Sequence, residues 1–599
     1  MNPPGSRIHS RMLAWAFATS SVLRRFPLVL LCTMAGTVSL ICSADAHSWN
    51  YITFIRVAMT AALGMPLLFS LRMLHERAGC GKTGWLFEFS GVVLLIAYFY
   101  MLPGDPNKDR GDWIHADEAP MALWIRWWLL LGALHAVAAA SPYLRGAEGN
   151  GFWQFNRRLF LRFFTAALFT GVLTIGLELA LLSTDKLFEL HLRDDNYLRI
   201  WFVMTGLFHP VYFLAGVPSD FAALETDTEY PRGLKAFTQF ALAPLVGVYT
   251  LILYAYAAQI LFARNWPRGW VSLPVLILAA VGILAALLLH PLRDRENERW
   301  ARWFCRNFYR ALAPLAILLL FSFQVRIHDY GITEERYMGL VAGGWILAAS
   351  LVFIVRPRAS IRWIPVSLAI IGLVACCGPW GALAVSQASQ TRRLTSLLAA
   401  HDLLSGGKAV PPPAPKTTTL PSADVENIRS IIDYLDHVHG SATLQTLFGN
   451  LGIKQEDFAN RWLLANAVLE KLKVKNAENI EPSEGFTLDD KTPIDIQGFR
   501  RMFEFAIYQD SRFGEFSVAI KDRDILFGCT DGSVTIPLDA ILSKLQAHGT
   551  DYTLPATELT VDFACKVRSF RMIFAAITVN KQNGDLTILN SSKVYLLEK

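Results

Sequence analysis

The chain has 599 residues, of which 53% are hydrophobic, 12% aromatic and only 18% charged. Its mean hydropathy is positive, which excludes an ordinary soluble chain, and the apolar residues are spread too evenly for a single anchor. A net charge of only +6 gives no footing for a nucleic-acid partner.

Apolar windows of about 20 residues, each able to cross a bilayer, recur about eleven times. They fall near 26–42, 51–71, 85–102, 119–141, 160–183, 197–217, 236–262, 270–291, 308–327, 336–356 and 361–384. The first follows Arg24 and Arg25 and precedes Ala44-Asp45-Ala46, a pattern shared with cleaved signal peptides. The basic leader is long for a signal peptide, which favours a retained span. Between the second and third spans, A-G-C-G-K-T-G at 78–84 imitates a phosphate loop. Glu76 stands where that motif needs its first glycine, and no strand precedes it. After the third span, D-P-N-K-D-R-G-D at 105–112 alternates oxygen ligands as a calcium loop does. Its glycine is one place late and the closing glutamate is missing, so a hydrated acidic loop is the plainer reading. No metal or cofactor motif is found.

Ionisable residues inside spans are costly unless paired or facing water. Glu178, His135 and His209 are therefore candidate functional residues, and His209 is followed by Pro210. They can line a path through the bundle or form contacts between helices. Arg126, within W-I-R-W-W, reads as an interfacial side chain. The stretch R-I-H-D-Y-G-I-T-E-E-R-Y at 326–337 separates two spans and carries the other candidates, Arg326, Asp329, Tyr330, Glu335, Arg336 and Tyr337. Gly331 suits a helix end in left-handed conformation, Thr333 a helix cap, and Glu334 and Glu335 the positive end of the next helix dipole. Arg326 and Arg336 can then pair with Asp329 or the glutamates. Most of the stretch is accounted for as a capped turn, yet Asp329, Tyr330 and Tyr337 exceed what a turn needs.

After Leu383 the long apolar runs stop. Residues 1–384 are read as the multi-pass membrane domain and 385–421 as a connector ending in a Pro-rich spacer, G-G-K-A-V-P-P-P-A-P. Residues 422–599 are read as a soluble α+β domain. Its helices are expected near 422–439 and 454–473, and its strands from about 494 onward, with an antiparallel sheet and a tight hairpin at Asn583-Gly584.

With the N-terminus inside, alternate loops gather about 21 Lys and Arg on one side against about 7 on the other, and cationic loops stay cytoplasmic. The richest runs are Arg293, Arg295, Arg299, Arg302, Arg306 and Arg310, then Arg356, Arg358 and Arg362. An odd number of spans puts residues 422–599 outside, in the periplasm of a Gram-negative cell. Of eight cysteines, only Cys529 and Cys565 fall in that exported domain, where they can pair or remain two strand thiols.

Four segments, F-W-Q-F-N at 152–156, R-I-H-D-Y-G-I-T-E-E-R-Y at 326–337, G-P-W-G-A-L-A-V-S-Q-A-S-Q-T-R-R-L at 378–394 and I-I-D-Y-L-D-H-V-H-G at 431–440, together resemble the domain-of-unknown-function family 4153. The resemblance covers roughly 150–440. It implies a bacterial inner-membrane protein and no chemistry.

Three functions remain open. The favoured one is an envelope scaffold that presents residues 422–599 to a periplasmic partner, with the lipid bilayer as the other contact. The second is a secondary transporter of a small solute or lipid-linked precursor, using Glu178, His135 and His209, with Pro210, Pro244 and Pro314 interrupting spans. The third is an envelope lipid- or glycan-modifying enzyme acting through Asp329 and Glu335, although no catalytic motif is present.

Overall fold

A computed structural model describes residues 20–45, 51–79, 84–102, 121–144, 150–263, 272–412, 418–440, 442–453 and 461–476. From 484 to 599 it describes all but 489–495, 508–509, 514, 522–523, 530–531, 549–552, 567 and 583–584. The phosphate-loop and calcium-loop imitations fall largely or wholly outside these residues. The chain divides into two compact units: residues 1–393 with 434–443, and residues 394–433 with 444–599. This division differs from boundaries at 384 and 421. Residues 382–400 form one continuous helix, and the last turns of helix Ser422–His439 group with the first unit.

The first unit is helical. Among the described residues, eight helices are long and apolar enough to cross a membrane, from Pro27–Ala44 to Glu334–Val355. The other three expected spans are present in altered form. Trp85–Met101 and Trp363–Cys376 are shorter apolar helices. The stretch expected at 197–217 is a helix over Asp195–Val203, a π turn over Met204–Phe208, and a helix over His209–Leu214. Pro210 explains the break. It lacks an N–H and its ring crowds the carbonyl four residues back, and one wider turn relieves both problems. A second π turn, Thr238–Leu242, precedes Pro244 in the same way.

Lipid tails are as apolar as leucine, so close packing and polar contacts must hold such a bundle together. Both are visible. Helices Arg299–Tyr330 and Glu334–Val355 form a hairpin in which Gly339 meets Phe323: a Cβ at 339 would lie 2.0 Å from that ring. At the arginine-rich end, Arg25 pairs with Glu76 at 2.7 Å, Arg72 bridges Glu76 and Glu88 at 3.0 Å each, and Arg25 donates to the Val217 and Pro218 carbonyls.

The second unit is built around helix Ser422–His439, helix Arg461–Lys471, two large sheets and two small two-stranded ones. A four-stranded antiparallel meander runs from Asp510 to Pro537. Its alternation is clean: Ile525 and Phe527 are buried while Leu526 faces out. The larger sheet centres on the antiparallel strands Arg568–Gln582 and Asp585–Glu598, whose register pairs Gln582 with Asp585; the turn expected at Asn583-Gly584 lies outside the described residues. Two short parallel pairings, Thr418–Leu420 with Val474–Asn476 and Thr553–Leu554 with Thr487–Leu488, add to an otherwise antiparallel arrangement. Cys529 and Cys565 are joined by a disulfide that links the ends of two strands.

Candidate functional site

Gly331 ends helix Arg299–Tyr330 at φ 72°, ψ −179°, a positive-φ conformation other than the left-handed helical one. Thr333 occupies the cap position of the next helix, but its side chain makes no capping bond. The turn is held from elsewhere. Arg336 donates to the carbonyls of Tyr330 at 3.0 Å and Gly331 at 2.8 Å. Gln390 donates to those of Tyr330 and Ile332, and the Ser389 hydroxyl accepts from the Ile332 N–H at 3.0 Å. The expected pairing of Arg336 with a carboxylate does not form: the guanidinium closes the helix end and lies over the Tyr330 ring.

Beneath this turn sits a carboxylate. Glu334 is buried and takes the Tyr434 hydroxyl at 2.5 Å, the Ser386 hydroxyl, and His439 Nε2 at 3.1 Å. A buried carboxylate is tolerable only when its lone pairs are met, and three partners meet them here. Burial and the bond to Glu334 push the Tyr434 phenol far above its usual range, so it stays a donor. The trio of Ser386, His439 and Glu334 is not a hydrolase triad. One ring nitrogen, Nε2, faces both the carboxylate and the hydroxyl, whereas proton relay needs the two nitrogens to face different partners. The cluster is a latch. It joins the 330–334 turn, helix Ala382–Ala400 and the end of helix Ser422–His439. Sequence reasoning fixed on the exposed Glu335 and passed over Glu334, Ser386, Tyr434 and His439, although all four lie in the quoted segments.

A second site lies among the helices. A cavity of about 720 Å³ is walled mainly by apolar side chains, such as Phe69, Leu131, Phe160 and Leu284. Its polar members are His135, His209, Thr205, Asn156 and Arg157. The π turn and Pro210 place His209 there, with its ring edge-on to Phe163 at 5.2 Å. His135 Nδ1 is 2.8 Å from the Leu131 carbonyl. Leu131 and Ala139 both line the cavity eight residues apart, so it extends about 12 Å along that helix. Glu178 does not join them. It is half-exposed, fifteen residues beyond Phe163 on helix Gly151–Phe188, or about 22 Å along the axis.

The F-W-Q-F-N stretch opens that same helix and docks the segment 217–231. Gln154 donates to the Asp227 carbonyl at 2.7 Å, Trp153 to that of Leu287 at 2.8 Å, and Asn156 to that of Ala139 at 3.0 Å. Arg157 and Arg158 both reach the Asp227 carboxylate. Burial opposes ionisation of Asp227, but the Glu229 N–H and the two arginines prevail and hold its carboxyl below the usual range. The segments that suggested a family are thus two built structures, a latch and a docked loop.

Residues 12–403 match the family described as Domain of unknown function (DUF4153). The chain belongs to that family. Among curated proteins it is similar to an uncharacterized protein of Pasteurella multocida (strain Pm70), 26% identical over 325 residues. The alignment covers 54% of this chain, which spans about half the length of that relative. No solved structure matches. The DUF4153 match starts well before residue 150 and stops before Tyr434 and His439, so two of the four latch residues lie beyond it.

The remaining candidates of this DUF4153 chain stay apart. Arg326 is half-buried, while Asp329 and Glu335 stand exposed and join no ion pair among the described residues. The expected bridge from Arg326 to Asp329 is therefore absent. Helix Arg299–Tyr330 continues through both residues, and the next helix begins only after the turn. Tyr330 is 41% exposed beneath Arg336 and Arg393, and Tyr337 donates to the Trp380 carbonyl at 2.8 Å. No group of three His, Cys, Asp or Glu side chains able to hold a metal occurs among the described residues.

Proposed function

We propose that this DUF4153 protein binds an apolar or amphiphilic molecule within its membrane bundle and handles it as a carrier. The cavity of about 720 Å³ carries this reading. Its volume is within the range of ligand pockets, and its walls are apolar with a few convergent polar groups, as such pockets are. A proline-broken helix with a π turn forms part of the wall, which is how transporters build sites at mid-membrane. Of the three residues first suspected of lining a path, His135 and His209 belong to this reading and Glu178 does not. The arginine-rich end is taken as cytoplasmic and the strand-rich unit as periplasmic in a bacterial inner membrane, an orientation supported by the charge bias and the Cys529–Cys565 disulfide. The test is binding of an environment-sensitive apolar fluorophore to the purified full chain. Ala62→Trp, which narrows the cavity, should weaken displaceable binding while the protein remains folded. Unchanged binding in that variant would sink the proposal.

A second reading, an envelope scaffold, is favoured by the latch, which grips Tyr434 and His439 on a helix whose earlier residues belong to the second unit. On this reading Tyr434→Phe with His439→Ala should lower function in cells by more than it lowers abundance, while ligand binding in the cavity persists.

A further inference from the structure

The apolar cavity abuts a second, polar cavity of about 490 Å³, and Phe152, Trp153 and Ile361 line both. We infer that the pair holds one phospholipid-like amphiphile, with its chain in the apolar cavity and a zwitterionic head, phosphate plus amine, in the polar one. The inference rests on the cavity being a binding site and names the ligand class.

Charge supports the head. The polar cavity is lined by three arginines, 293, 295 and 358, and three carboxylates, Glu225, Glu229 and Asp294. Most are already engaged. Arg293 pairs with Asp294 at 3.4 Å, Arg295 donates to the Thr228 carbonyl at 2.9 Å, and Glu225 pairs with Arg77 at 3.2 Å. Arg358 and Glu229 are left, one of each sign, and neither joins an ion pair among the described residues. An anionic head would leave Glu229 opposed and a neutral head would use neither group. A phosphate beside Arg358 with an amine beside Glu229 uses both.

Two buried atoms point the same way. Gln154 lines the polar cavity at 1% exposure, and its Oε1, an acceptor, has no protein partner. Arg157 lines the apolar cavity at 8% exposure, and its Nε–H, a donor, has none either. Buried polar atoms without partners are uncommon and costly. An amine offers a donor to the first, and an ester or phosphate oxygen offers an acceptor to the second. The F-W-Q-F-N stretch thereby gains a role in binding. Its first two residues divide chain from head, and Gln154 with its neighbour Arg157 touches both.

The full chain, purified in detergent, is titrated with dioleoyl phosphatidylethanolamine, dioleoyl phosphatidylglycerol and dioleoylglycerol, and bound lipid is counted by native mass spectrometry. The zwitterionic lipid should bind at least about tenfold more tightly than either other lipid, as a single charge-assisted bond implies. Arg358→Ala and Glu229→Ala, both exposed positions, should act separately: the first should reduce the preference over dioleoylglycerol, and the second should remove the preference over phosphatidylglycerol. Equal binding of all three lipids, or preference for the anionic one, overturns the assignment of the head yet leaves the apolar binding site standing. If no lipid is retained, or if Ala62→Trp retains it as the native chain does, the binding site itself falls.

Discussion

The Tyr434 hydroxyl and the Ser386 hydroxyl reach different oxygens of Glu334, so each deletion leaves a different part of one buried carboxylate without its donor. Hydrogen bonds to charged groups contribute about 1.5–3 kcal/mol, so Tyr434→Phe should lower stability by about that much. Ser386→Ala should act similarly. Because both serve one carboxylate, the double variant should cost less or more than the sum by at least 0.5 kcal/mol or so. Thermal unfolding of the four proteins in detergent measures this, and strict additivity would contradict a shared site. Asp227 makes a pH prediction. Its carboxyl is held below the ordinary value near 3.9, so its contribution is fully present above that pH and is lost as pH falls through the lower, folded-state value. Asp227→Asn removes the contribution at all pH values. The stability gap between native chain and variant should therefore be constant from pH 5 to 7 and shrink on acidification below about 4, by unfolding at each pH. The same residues show why single-residue reading of the sequence stalls. Glu334 and Glu335 are equivalent on paper, both suited to a first helical turn. Only the arrival of Ser386, Tyr434 and His439, from segments 52 to 105 positions away, makes one of them buried and the other exposed.

At the scale of elements, the apolar windows were legible because a bilayer imposes a length, and almost every window became a helix near its expected place. What the windows could not convey is how proline is accommodated. Pro66 and Pro314 lie inside continuous helices, whereas Pro210 and Pro244 follow π turns. The local sequence is apolar in all four cases, and the difference rests on neighbours that can take up freed backbone groups. Helix pairing was equally hidden. Gly339 and Gly343 stand four apart on helix Glu334–Val355 and let it approach Phe323 and Leu320, while Gly344 beside them faces open space. Gly339→Leu should therefore splay the hairpin and destabilise by about 1–3 kcal/mol or more, as overpacking does. Gly344→Leu should be nearly neutral. Comparing the two by unfolding temperature separates packing from a general effect of removing glycine, since helix propensity favours both substitutions equally.

For the molecule as a whole, the alternation of period and the shift in composition near residue 384 announced two kinds of structure. The partition of the chain between two units was less visible, because helix Ser422–His439 contributes to both. Orientation links the units to function, and the disulfide offers a way to measure it. Cys529 and Cys565 close a loop of 36 residues, and a cross-link of that size stabilises by about 3–4 kcal/mol, mainly by restricting the unfolded chain. Such a bond persists in an oxidising compartment and not in a reducing one. If the strand-rich unit is periplasmic, a membrane-impermeant maleimide applied to spheroplasts should leave both cysteines unmodified until a reductant is added, and then label the half-buried Cys529. A cysteine placed at Arg358, at the arginine-rich end, should stay unlabelled until the membrane is opened. The reverse pattern would put the basic loops outside and contradict the bias that assigns them to the cytoplasm. It would also move the polar cavity to the opposite leaflet, so the outcome decides from which side a lipid head could enter beside Arg358 and Glu229.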